Sequence, residues 1–132
     1  MWIKFNPNPC GRNVEDCTIR ALCAALDISW DEGHDLLAES SKNMCDMQHS
    51  SAALGAVLRR HGFYRHVIPN DAPDDYTVRE FAYDHPRGIY VLSTGSGSHV
   101  TAMIDGNVYD SWDSLNEIPV YYWSKEQDYA RV

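Results

Sequence analysis

The sequence predicts an α+β fold in which N-terminal helices pack on a C-terminal antiparallel sheet. Three observations carry that reading. Apolar residues recur at helical spacing as far as residue 61, two Ser/Thr-x-x-Glu boxes mark helix starts, and from Gly88 onward the hydrophobic period changes to two. At 132 residues, with 44% hydrophobic and 23% charged, the chain suits one domain, 1–132, large enough to bury a real core.

The first helix opens in RNVEDCTIRALCAAL, residues 12–26, where Ile19, Leu22, Cys23 and Leu26 form a buried stripe. At about 100° per residue Cys17 lies roughly 190° from the centre of that stripe, so it is expected to look outward. In a first turn, unpaired N–H groups and the positive helix end favour a thiolate, the nucleophilic form of cysteine. A plainer reading makes Asp16 the helix cap and Cys17 merely a small residue behind it. SWDE at 29–32 is a capping box for a second helix running to about residue 40, with Trp30 and Leu37 on its buried side. Residues 51–61 carry Leu54, Val57, Leu58 and His61 at helical spacing and stop at Gly62. TVRE at 77–80 starts a short fourth helix that must end before Pro86. GIYVLST, HVTAMI, VYDSW and IPVYYW then read as strands of a meander, with FYRHVIP as a further candidate and PNDAPDDY as a surface loop.

Eleven Lys and Arg against nineteen Asp and Glu give a formal charge of −8, which argues against nucleic-acid phosphates as the main partner. No apolar run is long enough for a bilayer, and MWIKFNPNP lacks a signal peptide's apolar centre, so a cytoplasmic protein is expected, the charge leaving protein or small-molecule substrates. The four cysteines, Cys10, Cys17, Cys23 and Cys45, are expected to be reduced. Cys45 and His49 stand four apart, but no second pair completes a zinc site, so neither metal nor cofactor is expected.

A nucleophilic cysteine needs a base, and the base needs something to orient it. Of six histidines, His34, His49, His61, His66 and His85 read as surface or cap residues. His99 opens a strand directly after TGSGS, where glycines permit close approach of another segment. If Asp105 and Gly106 form a two-residue type I′ turn, His99 stands opposite Trp112 and Thr101 opposite Asp110, making His99 and Asp110 diagonal neighbours on one face. A three-residue loop would reverse this parity and bring up Asp113 instead.

These motifs resemble the papain-like cysteine peptidase superfamily, in particular small bacterial members similar to the bacteriocin-leader peptidases. The residues that carry the likeness are DC at 16–17, SHVTAMIDG at 98–106 and NVYDSWD at 107–113. More narrowly, NPCGRNVEDCTIRAL, SWDE and GSHVTAMIDGNVYDSWDS look like a group of proteins from gut Firmicutes and their phages that carries no assigned activity. The resemblance implies a papain-like fold, a thiolate at Cys17, a general acid and base at His99 and an orienting carboxylate at Asp110. Papain-like enzymes place an oxyanion-hole Gln six residues before the cysteine, where this chain has Gly11. Asn8 and Asn13 are nearby amides, and Asn8, held by the NP turns, is the preferred substitute.

The expected function is therefore a thiol hydrolase, a cysteine peptidase or isopeptidase with a Cys17-His99-Asp110 triad. A cell-wall amidase of the NlpC type or an acyl transferase would use the same groups. The reading from a different class is a papain-like binding or inhibitor module of a phage that has lost the chemistry.

Overall fold

The computed structural model describes residues 1–95 and 97–126. Helices α1 (Cys17–Leu26), α2 (Trp30–Asn43), α3 (Ser51–Arg60) and α4 (Val78–Asp84) accompany strands β1 (Trp2–Lys4), β2 (Tyr64–Val67), β3 (Ile89–Thr94), β4 (His99–Ile104), β5 (Asn107–Asp110) and β6 (Pro119–Ser124). The strands form one sheet in the order β1-β5-β4-β3-β6-β2. The fold is α+β, as expected, but the sheet is mixed rather than antiparallel, because β1 pairs in parallel with β5. A three-residue strand has no period of its own to reveal it, and its partner lies a hundred residues away. The meander covers only β3, β4 and β5; β6 crosses to the free side of β3, and β2 pairs with it.

Local chemistry explains the helix ends. Ser29 Oγ accepts from the Glu32 N–H at 3.1 Å while Glu32 Oε1 accepts from the Ser29 N–H at 3.3 Å, a complete capping box, and α2 runs three residues beyond the expected end. Ser50 and Thr77 cap α3 and α4. The β4–β5 turn has Asp105 at φ +50° and Gly106 at φ +80°, the left-handed pair that a type I′ hairpin requires.

A core packs on each face of the sheet. Ile19, Leu22, Leu54, Val57, Leu58, Phe63 and Trp123 join α1 and α3 to one face. Val78, Phe81, Leu92, Met103 and Val108 close the other beneath α4. Gly55 is where Trp123 meets α3, and a Cβ there would stand 3.0 Å from the indole. Helix α1 is buried almost all round, Thr18 and Arg20 included, because the sheet covers one side and α2 another. Cys17 is consequently half-buried, not outward-facing as its helical phase alone suggested.

Cys23 lies in this core at 3% exposure, and burial, reinforced by the nearby Asp16 charge, pushes its thiol up to about 11. Cys23→Ser, which places a hydroxyl among apolar neighbours, is expected to cost about 1–3 kcal/mol. Thermal unfolding should register this as a melting temperature lower by several degrees, with the reactivity of Cys17 unchanged.

No helix among the described residues is long and apolar enough to cross a membrane.

Candidate active site

Helix α1 crosses β4, which brings its first residue, Cys17, to the start of that strand, where His99 stands. The hairpin register sets Ala102 opposite Tyr109 and Met103 opposite Val108, the pairing a two-residue turn dictates. His99 and Asp110 are thereby diagonal neighbours, and His99 Nε2 meets Asp110 Oδ2 at 2.7 Å. With Nε2 committed to the carboxylate, Nδ1 is left for the Cys17 sulfur, which hydrogen-bonds the imidazole. Asp113 is exposed and accepts from the Leu115 N–H, so it plays no part here.

Strand β1 fixes Asp110 from behind. Its main-chain oxygen accepts from the Phe5 N–H at 2.8 Å and from Trp2 Nε1 at 3.1 Å. The side chain is satisfied at both oxygens: Oδ1 accepts from Arg20 at 3.1 Å and from the Ser111 N–H at 2.8 Å, while Oδ2 accepts from Ser114 Oγ at 2.8 Å as well as from His99. Arg20 reaches on to Asp16 Oδ1 at 2.6 Å, and Trp30 Nε1 donates to Asp16 Oδ2 at 2.9 Å. Asp16 thus spends its carboxylate on this buried chain and makes no side-chain cap for α1, contrary to the plainer reading of its position. Trp112 lies over the imidazole with ring centroids 4.2 Å apart, tethered by Nε1 to Glu117 Oε2 at 2.9 Å.

The electrostatics follow from these contacts. Burial alone would raise the Cys17 thiol, but the His99 hydrogen bond, the Val100 N–H and the charges of His99 and Arg20 bring it below its usual value. Burial would likewise lower His99, yet the Asp110 and Cys17 hydrogen bonds raise it to about 9. Asp110 is pulled down despite its burial, by His99, Ser114 and Arg20. Each contact works in the same direction, favouring the thiolate of Cys17, the imidazolium of His99 and the carboxylate of Asp110. Asp16, whose like charge would oppose the thiolate, is compensated by Arg20.

Asn8, the amide expected to face the oxyanion, is engaged in its own turn. Its Oδ1 accepts from the Cys10 and Arg12 N–H groups, and it lines neither cleft beside Cys17. A short polar side chain among turn residues closes its own turn before it reaches across a site. Gln48, on the loop after α2, lines one of these clefts, with His49 beside it; its Nε2 donates one proton to the His34 carbonyl at 2.9 Å and keeps a second. Arg20 and Ser114 stand four residues from Asp16 and Asp110, spacings visible in the sequence, and Trp112 is the residue that the hairpin register sets opposite His99; Trp30 and Gln48 reach the site through tertiary packing that leaves no local signal. The cleft against Tyr76, Phe81, His85 and Tyr122 lies on the opposite face of the sheet.

No protein-family model, curated protein or solved structure matches the chain. The residues themselves carry the functional argument.

Proposed function

We propose that the protein is a papain-like thiol hydrolase that cleaves a peptide, isopeptide or related amide bond. One observation carries the reading: an imidazole held between a buried carboxylate and a cysteine at a helix start. Cys17 attacks the carbonyl as a thiolate, His99 gives its proton to the departing amine, and the resulting thioester is hydrolysed by water that His99 deprotonates. Asp110 holds the ring in place and stabilises the imidazolium. The oxyanion would meet the first-turn N–H groups of α1 and the remaining N–H of Gln48. The same apparatus serves a cell-wall amidase, which differs in substrate and not in machinery.

The test is selective alkylation. At pH 6.5 iodoacetamide should modify Cys17 faster than the exposed Cys10 and Cys45, read by peptide mass spectrometry after brief labelling. Cys17 reacting no faster than these two would overturn the hydrolase reading in favour of a binding module. On a cleavable amide, kcat/KM should be bell-shaped in pH. It rises below the ordinary thiol range as the thiolate forms, then falls near pH 9 as the imidazolium loses the proton that the leaving amine needs. Linkage adds a stability effect. The folded-state value of His99 lies above its unfolded one, so its contribution is complete below about 6.5 and is lost as pH rises through about 9.

A further inference from the structure

Two clefts, of about 460 and 320 Å³, meet at Cys17 and share Glu15 and Ser98 on their walls. Glu15 therefore borders either cleft that a bound chain could enter to present a carbonyl to Cys17. The larger cleft, on the His99 side, is the better furnished: Val14 stands at 37% exposure, and Trp112 offers nearly half of its surface beside the imidazole it covers.

The charges along this cleft are matched, with one exception. Asp16 pairs with Arg20, Arg20 also pairs with Asp110, and Asp110 pairs with His99. All four are buried, so none is presented to a ligand as a free charge. Glu15 is exposed and makes no hydrogen bond or ion pair among the described residues. Glu117, behind Trp112, adds negative potential to the same end. An unmatched carboxylate at the mouth suits the positive head of a long side chain whose apolar stem lies along Val14 and the exposed part of Trp112, a ring whose own cation contact is Arg20 at 5.6 Å. It also penalises an anionic ligand, which would meet like charge while the cations of the same wall, Arg20 and His99, are already engaged by Asp16 and Asp110.

We infer that the substrate of this site carries a lysine or arginine side chain beside the bond that Cys17 attacks, received by Glu15 and Trp112 in the His99-side cleft. The inference rests on the reading of Cys17 as the nucleophile. It makes Glu15 a specificity residue with no part in the chemical step.

Charged thiosulfonates test it without a known substrate. The thiolate attacks the sulfenyl sulfur, forms a mixed disulfide and expels methanesulfinate, so the rate reports access of the attached charge to Cys17. Trimethylammonium-ethyl and sulfonato-ethyl methanethiosulfonate are compared on the intact protein, with modification at Cys17 followed by mass spectrometry and each rate normalised to a small free thiol. The cationic reagent should be preferred by on the order of tenfold at low salt. Glu15→Gln should remove most of that preference, Glu15→Lys should reverse it, and 0.5 M salt should reduce it in the wild type. Equal preference in wild type and Glu15→Gln, or a wild-type preference unmoved by salt, overturns the inference while leaving a reactive Cys17 in place. Failure of Cys17 to react with either reagent or with iodoacetamide overturns the hydrolase reading and the inference with it.

Discussion

Arg20→Ala is expected to lower stability by about 3–5 kcal/mol, a fall in melting temperature on the order of 10–20 °C. Arg20 is 3% exposed and is the cation between two carboxylates, Asp16 at 5% and Asp110 at 0% exposure. Truncation leaves those carboxylates desolvated, with Asp16 keeping Trp30 Nε1 and Asp110 keeping His99, Ser111 and Ser114. Breaking a buried ion pair from one side is costly because the remaining charge stays out of water, and here two charges remain. A second signature separates this cause from simple loss of packing. Asp110 is held below the ordinary carboxylate range, so its contribution is present above that range and is lost as pH falls through the lowered value. With Arg20 gone the folded-state value moves up, and acid unfolding should begin at higher pH than in the wild type. Arg20→Met retains the stem and should restore part of the packing but none of the acid resistance. If Arg20→Ala melts within about 3 °C of the wild type, the ion pairs contribute little to the fold and Asp110 is held by its hydroxyl and amide partners.

What the sequence revealed, and what it did not, divides along the range of the interactions. The His99–Asp110 pair was legible because a hairpin is local: Asp-Gly selects the turn, the turn fixes the register, and the register decides between Asp110 and Asp113. The capping box at Ser29 was legible for the same reason. Strand β1 was not, since its pairing with β5 depends on a contact across the whole chain, although that contact holds the main chain of Asp110. Helical phase placed Cys23 in the core correctly but turned Cys17 outward, because it assumes one buried face and α1 has two. Asp16 looked like a cap until Trp30 and Arg20 claimed its oxygens. Sequence proximity to the cysteine points to the amide of Asn8, whereas the side-chain amide that lines a cleft beside Cys17 is Gln48, thirty-one positions beyond it.

Cys17→Ala should abolish hydrolysis, a loss on the order of 10⁴–10⁶-fold in turnover, and leave the fold standing. The two effects separate because of where the sulfur lies. It is half-buried at the edge of the core, so removing it forfeits about 1 kcal/mol of packing or less, while the proposed reaction loses its nucleophile outright. The variant also reports on the remaining pair. Part of what raises His99 to about 9 is its hydrogen bond to Cys17, so without the sulfur the imidazole should lose its proton at lower pH, with Asp110 still holding it above a free histidine. A pH titration of the His99 ring by NMR would register that downward move in a folded protein. Melting of Cys17→Ala many degrees below the wild type would instead make Cys17 a packing residue. An unmoved His99 titration would mean that the imidazole does not engage the sulfur, and either result would remove the basis for a thiolate–imidazolium pair.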